Sequence, residues 1–300
     1  MRTFTIAGRL IADDEPCYVI AEMSGNHEGS VEKASELIRA AARAGASAVK
    51  FVKRDPETLF TRAVREQPYQ HEHSFGATYG EHRTALELDE AAYQSLLTVA
   101  AANQTTLLAT AFDEPSADLL VRLQVPAIKI HSGGLTDRPL LQHVASLGKP
   151  IILSTGGGVL EDIDRAVTLL NGGPLAILHC TASYPLRPDE ANLRVIPLLR
   201  RRYPQHVIGW SSHHTGLALS LVAYALGARI IEHHFTLDRA GKGTDHAFSL
   251  EPKGLATLID DLEKTRLALG DGVKRFYLSE RMPIAKMRRV ETAEGWRIAR

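Results

Sequence analysis

From residue 17 to residue 236 one pattern recurs eight times: a short apolar run rich in β-branched residues, then a longer segment of helical period. The runs are CYVIAEM (17–23), AVKFV (48–52), TLLATAF (106–112), AIKIHSG (127–133), PIILSTG (150–156), LAILHCTA (175–182), VIGWSSH (207–213) and RIIEHHFT (229–236). Strand and helix in strict alternation predict a parallel sheet with crossover helices, because parallel neighbours cannot be joined by a tight turn. The segment SVEKASELIRAAARAGA after the first run opens on a Ser N-cap, keeps Ala, Leu and Ile on one face, and stops at Gly45. Gly148, Gly172 and Gly227 close later helices in the same way. Eight consecutive units without a break in composition favour closure into an α/β (β/α)8 TIM barrel, which takes about 250 residues. Residues 17–270 supply that length.

Three parts lie outside the repeat. Residues 1–16 contain TFTIAGRLI, which alternates like a short hairpin and is expected to cap the bottom of the barrel. Residues 53–88 form a long polar and aromatic insertion after the second strand, on the face where barrels carry their active sites. Residues 271–300 read as a polar tail, too short for another domain. Lys and Arg number 35 and so do Asp and Glu, which leaves no whole-molecule field to gather nucleic acid or an anionic membrane. Cys17 and Cys180 each sit in an apolar run, which points to buried thiols rather than a disulfide. Without a secretory h-region or a membrane-length apolar stretch, the expected location is the cytoplasm.

The chemistry of such a barrel sits at the C-terminal ends of the strands, and here those ends are polar. They offer Glu22 with Asn26 and His27, Lys50, Thr110, Lys129 with Ser132, Ser154 with Thr155, Thr181 with Tyr184, Ser211 with His213, and Glu232 with His234. A lysine inside an apolar strand is costly to bury unless it meets an anion, and AVKFV and AIKIHS each hold one. Either lysine alone reads equally well as a buried stem paired to a carboxylate such as Glu22. The two together, with the hydroxyls of Ser132, Ser154 and Ser211, predict a site for a phosphate or carboxylate. His213 and His234 close neighbouring strands and together can reach one divalent metal. His214 and His233 stand directly beside them, so spacing does not decide within each pair; strand alternation places Glu232 and His234 on one face and His233 on the other.

The segments IAEMSGNHEGS, AGASAVKF, SFGATYGEHRTALELD, PAIKIHSG, GKPIILSTGG, LHCTASYPLRPDEANLRVI, IGWSSHHTGLALS and IIEHHFTLDRAGKGTDHAFSLEP give the chain a resemblance to the N-acetylneuraminate (sialic acid) synthase family, which includes the pseudaminic and legionaminic acid synthases. The resemblance covers roughly residues 15–255. It implies a barrel enzyme, typically a homodimer, that joins phosphoenolpyruvate to a sugar aldehyde, releases phosphate and forms a 3-deoxy-2-ketoacid. It also implies a divalent metal, Mn2+ before Mg2+ or Co2+. By motif, Lys50, Lys129, Ser132, Ser154 and Ser211 would hold phosphoenolpyruvate, His213 and His234 the metal, and Glu22 would be the strand-one acid that orients or deprotonates water. Tyr184 and Asp245 fall near the acceptor; Asn26 and Thr110, and Tyr79 and Arg83 from the insertion, complete the acceptor set. Tyr79 and Arg83 fit equally well a role at a subunit contact or in simple packing.

Four positions depart from the family pattern. The 300 residues end before the antifreeze-like domain that usually follows the barrel. Lys-x-Gln reads here Lys50-Phe51-Val52, Ser-Gly-Glu reads Ser132-Gly133-Gly134, and the basic residue usual between Glu and His in the eighth strand is His233. These changes touch the acceptor side, and they predict an acceptor other than the usual one. Two other readings stay open at this level: an aldolase or lyase using a Schiff base on Lys129 or Lys50, and a non-catalytic relative that binds a sugar or phosphate.

Overall fold

The computed structural model describes residues 2–298. A hairpin, β1 (Thr3–Ile6) and β2 (Arg9–Ala12), precedes the barrel. Its turn is Ala7-Gly8, both at positive φ (48° and 79°), the two-residue form whose twist suits flanking strands. Eight parallel strands then close on themselves in chain order: β3 (Tyr18–Ser24), β4 (Ala48–Lys53), β5 (Thr106–Ala111), β6 (Ile128–Ile130), β7 (Ile151–Ser154), β8 (Leu175–Cys180), β9 (Val207–Ser212) and β10 (Ile230–His234), with β10 pairing back to β3. The chain is thus a (β/α)8 barrel.

The period of two along each strand sorts side chains between two packed layers. Val19, Ala21 and Met23, Val49 and Phe51, Leu107 and Ala109, and Ile128 and Ile130 face outward and are buried against the helices. Ile20, Ala48, Leu108, Ile152, Ala176, Val207 and Ile230 face the axis and form a second cluster with Phe4, Ile6 and Ile11 of the hairpin. The hairpin therefore fills the end of the barrel where the strands begin. One step further along the inward set the residues turn polar: Glu22, Lys50, Thr110, Lys129, Ser154, Cys180, Ser211 and Glu232, every one buried. Glu22 pairs with Lys50, Thr110 with Lys129, Cys180 with Ser211, and Ser211 with Glu232 in direct register, while the other four neighbours step by two residues, the stagger that a closed, tilted barrel requires.

The helix after β3, α1 (Val31–Arg43), is capped by the Ser30 side chain accepting from Lys33 N, and buries Ala34, Leu37, Ile38 and Ala41. The insertion after β4 is more ordered than a loop. It holds three short helices, α2 (Pro56–Leu59), α3 (Arg62–Arg65) and α4 (Tyr79–Ala85), each opened by a side-chain cap from Asp55, Thr61 or Thr78. At α4 the cap is reciprocal, with Thr78 accepting from Glu81 N and Glu81 accepting from Thr78 N. These caps offset the poor intrinsic stability of single-turn helices. β6 ends at Ile130 because the chain turns at His131 into a 3-10 turn, Ser132–Thr136, and β10 ends at His234; both stop short of the runs read from the sequence.

The described chain divides into two units, the first running to Arg266 and the second from Leu267. The second carries a helix, Arg281–Met287, and a small hairpin, Val290–Thr292 with Gly295–Arg297, more structure than a polar tail suggests. It exposes Leu267, Phe276, Leu278, Met282 and Trp296, all more than half open to solvent. Among the described residues no helix is long and apolar enough to cross a membrane.

Candidate active site

At the C-terminal end of the barrel the buried polar layer opens into a cavity of about 590 Å3. Its floor holds four charges. Lys50 Nζ contacts Glu22 Oε2 and donates to Thr110 Oγ1 at 2.7 Å, while Glu22 Oε1 accepts from Ser24 N at 2.7 Å. Lys129 Nζ donates to Ser154 Oγ at 2.6 Å and to Ile130 O at 3.2 Å, and lies 3.7 Å from Glu232 Oε1. Glu232 Oε1 also accepts from Ser211 Oγ at 2.9 Å, and its Oε2 lies 3.8 Å from Lys50 Nζ. Each lysine is thus paired to a carboxylate, as the buried-stem reading expects, and each also lines the cavity.

Burial would push the Glu232 carboxyl up, but Lys129 and Lys50 outweigh it and hold the group ionised. Burial pushes the Lys50 ammonium down, to about 7; Glu232 opposes this and the Lys129 charge adds to it. The Glu22 carboxylate in contact with Nζ also favours the protonated form. Four buried charges make this layer costly as architecture. Glu232 Oε2 accepts no hydrogen bond and lies 3.8 Å from Lys50 Nζ, so the layer keeps one acceptor oxygen free.

Ser132, just past β6, reaches the same cavity from the 3-10 turn, accepting from Gly156 N at 3.1 Å and donating to Cys180 Sγ at 3.5 Å. A Cβ on Gly156 would stand 2.7 Å from Ser132 Oγ and 3.0 Å from Ala182 N, so only glycine lets the turn after β7 come this close.

His213 and His234 lie side by side, ring centroids 5.4 Å apart. His213 Nδ1 is 2.9 Å from the Thr181 carbonyl, which assigns the proton to Nδ1 and leaves Nε2 with a free lone pair. His234 Nδ1 is buried without a hydrogen-bond partner, 3.8 Å from Asp245 Oδ2. Burial lowers both imidazoles, His234 to about 3 against the opposing pull of Asp245, so both are neutral and able to ligate. The neighbouring histidines are turned to backbone: His214 Nδ1 toward Leu186 O at 3.3 Å and His233 Nε2 toward Gly216 O at 3.3 Å. Among the described residues no group of three or more His, Cys, Asp or Glu forms a metal cage. Two neutral imidazoles, one with an orphaned nitrogen, would fit as ligands to a divalent cation.

The rim is built from the insertion and from loops. Arg54, Leu59, Phe60, Tyr79 and Arg83 line one side, and Tyr184, Thr244 and Asp245 another. Tyr184 lies over His213, centroids 4.0 Å apart. Thr110 is on the wall, its Oγ1 accepting from Lys50 Nζ. Asn26 is placed differently from expectation: its Nδ2 donates to Phe235 O at 2.9 Å and to Ser249 Oγ at 3.1 Å, tying two loops together beside a smaller adjoining cavity. Val52 presents an apolar wall. Gly134 is off the wall, and a Cβ there would meet Ile130 Cγ2 at 2.8 Å. Sequence reasoning counted Glu232 among the polar strand ends but gave it no role, although alternation already put it on the face of His234. It passed over Cys180, Arg54 and the stack of His131 on Phe112, 3.7 Å between centroids.

A closed parallel barrel with paired lysines, hydroxyls and two neutral imidazoles at the C-terminal ends of its strands belongs to the class of (β/α)8-barrel enzymes. The particular family follows from comparison with known proteins: the NeuB family model matches residues 37–274, and the chain belongs to that family, the sialic acid synthases. It is 38% identical over 272 residues to the mouse N-acetylneuraminate-9-phosphate synthase, covering 89% of this chain and 75% of the relative. It is 38% identical over 277 residues to the N,N'-diacetyllegionaminic acid synthase of Campylobacter jejuni, covering 90% and 83%. Among solved structures, the sialic acid synthetase of Leptospira borgpetersenii, crystallised with citrate, superimposes with a TM-score of 0.82 at 32% identity, covering 94% of this chain and 95% of that one.

Proposed function

We propose that this enzyme condenses phosphoenolpyruvate with a sugar-derived aldehyde other than the usual N-acetylmannosamine, releasing phosphate and forming a 3-deoxy-2-ketoacid. The observation that carries the reading is the pair of buried lysines on the barrel floor, each next to a hydroxyl and open to the cavity. In this reading Lys50, Lys129, Ser132, Ser154 and Ser211 bind the phosphate and carboxylate of phosphoenolpyruvate, and the lysines stabilise phosphate as it departs. C3 of phosphoenolpyruvate bonds to the aldehyde carbon, whose oxygen takes up a proton. Water adds at C2, and the C2–O bond to phosphate breaks to leave the ketone. Glu22, whose carboxylate lines the cavity beside Lys50, orients that water and accepts its proton. A divalent metal held by His213 and His234, manganese before magnesium or cobalt, supplies polarisation of the aldehyde oxygen when bound. Thr110, Tyr184, Asp245, Tyr79 and Arg83 face the acceptor, Asn26 acts behind them by fixing the loops, and Val52 and Gly134 offer it no hydrogen bond.

A cytoplasmic homodimer completes the proposal, supported by the unpaired thiols of Cys17 and Cys180 and by the exposed apolar side chains of the second unit. The test is an aldehyde panel with phosphoenolpyruvate and Mn2+, read by phosphate release and product mass. Metal-dependent formation of a 3-deoxy-2-ketoacid is expected. Efficient turnover of N-acetylmannosamine itself would remove the unusual acceptor. One observation favours a second reading: burial pushes Lys50 toward the range of a Schiff-base lysine. Borohydride trapping of a ketoacid on Lys50 would establish that aldolase instead.

A further inference from the structure

One level above the floor the barrel wall changes character. Alternation along β4, β5 and β6 and their continuations returns Val52, Phe112 and His131 to the inward side two residues after Lys50, Thr110 and Lys129, and all three line the main cavity. Of the three, only the imidazole can hydrogen-bond through its side chain. It is held in one place. The ring stacks on Phe112, centroids 3.7 Å apart and planes 13° from parallel, and the Arg54 guanidinium packs on the same phenyl ring with Cζ 4.7 Å from its centroid. His131 Nδ1 accepts from Gly133 N at 3.1 Å. A Cβ on residue 133 would stand 2.7 Å from His131 Cε1 and 3.0 Å from Nδ1, so glycine is what lets the ring fold back over its own turn. The imidazole is also held in one protonation state. Burial lowers it to about 3, and the charges of Lys129, Arg54 and Lys50 add to that. A neutral ring whose Nδ1 accepts carries its proton on Nε2. Among the described residues nothing accepts a hydrogen bond from His131 Nε2, and the condensation set out above gives it no part.

An uncharged N–H fixed by stacking serves a different purpose from the cations around it. It draws no anion from a distance, and it loses little freedom when a ligand arrives because its rotamer is already set. Once the ligand has displaced water, a donor left without an acceptor is penalised, so such a group reads the presence or absence of an oxygen at one point. His131 stands two residues beyond Lys129, on the order of 7 Å further along the strand direction. That height sets it beside the body of a bound acceptor, clear of the anion site on the floor. Resting on the condensation proposed above, we infer that His131 is a specificity-determining residue: its Nε2–H donates to an uncharged oxygen on the body of the acceptor, a hydroxyl or an amide carbonyl, next to the apolar wall of Val52 and Phe112.

The experiment uses the whole enzyme with phosphoenolpyruvate, Mn2+ and the N-acyl hexosamines of the aldehyde panel. For the hexosamine turned over fastest, its single-deoxy analogues and the thioamide counterpart of its N-acyl group are added. His131→Phe keeps a ring to stack on Phe112 and removes the donor. It should lower kcat/KM for the parent acceptor by about 10-fold, the worth of one hydrogen bond between uncharged groups, through KM of the acceptor and with KM for phosphoenolpyruvate unchanged. In the wild-type enzyme the analogue lacking the bonded oxygen should be poorer than its parent by about the same 10-fold, and in His131→Phe the two should be used equally. A deoxy analogue in that position identifies a hydroxyl, and the thioamide identifies the carbonyl. His131→Gln, which can place an amide N–H near the same point, should restore part of the preference, and it carries the test if His131→Phe fails to fold. A His131→Phe enzyme that keeps the wild-type preference for every parent over its analogue, or that loses kcat with all acceptors in proportion, would overturn the inference while leaving the condensation intact. No product from any aldehyde of the panel would overturn the condensation, and the inference with it.

Discussion

The floor and the rim of the cavity are built by different means. On the floor every functional side chain issues from a barrel strand, at one level, fully buried, with its partners on neighbouring strands. On the rim the side chains come from the 53–88 insertion and from loops, held by caps and ring contacts and partly open to solvent. The floor has little freedom to vary, because changing one charge strands another in a dry interior. The rim can be rebuilt without disturbing the barrel, and that is where Arg83 stands with no carboxylate ion pair among the described residues.

The largest effect should come from cutting the floor. Lys129→Met removes a ligand of the proposed phosphoenolpyruvate site and leaves Glu232 with one cation fewer, so phosphate release should fall by at least about 1,000-fold, and stability by about 3–5 kcal/mol. Adding Glu232→Gln should recover much of the lost stability, read by denaturant unfolding, and none of the activity. A double variant that regained turnover would show that the floor charges are architecture only. Glu22→Gln comes next, with kcat lower by about 100-fold or more and KM for phosphoenolpyruvate little changed; full turnover would remove Glu22 from the chemistry.

The third prediction concerns acid. Burial lowers the His27 imidazole to about 4, with the Arg54 charge adding to the effect. A folded-state value below the unfolded 6.5 means that the contribution of His27 is complete above pH 6.5 and is lost as pH falls through about 4. Unfolding free energy should therefore drop over that window by up to about 1.4 kcal/mol per pH unit for this group, and His27→Gln should flatten the slope when stability is measured from pH 7 to 4. An unchanged slope would show that His27 is not held neutral behind the rim. The smallest effect belongs to the insertion. Thr78→Ala removes the cap of α4 and should cost about 1 kcal/mol locally, raising KM for the acceptor a few-fold while leaving kcat and KM for phosphoenolpyruvate near wild type. A matching loss in kcat would mean that floor and rim are mechanically coupled.

The barrel and most of its floor were legible in the sequence because both depend on a period of two. Once the eight runs were placed, the residue at each strand end followed, and Lys50, Lys129, Ser154, Ser211 and Glu22 do share one level. The same rule put Glu232 on the inward face of the last strand. Its partnership with both lysines went unread because it requires knowing that β10 closes on β3 and at what register. The HH pairs were half legible: alternation separated His233 from His234, but His213 and His214 lie past the end of β9, where no period applies, and only the Thr181 and Leu186 carbonyls tell them apart. Asn26 looked like a wall residue from its strand and proved to be a tie between loops.

What the sequence by itself determined is the set of elements and the polarity of their ends, since secondary structure and side-chain direction are local consequences of spacing. What only the tertiary structure decided is which charges meet. Glu87 is shared by Lys53 and Arg54, and Arg83 is left with Tyr79, because segments far apart in the chain converge on one rim where pairing depends on distances of a few ångströms.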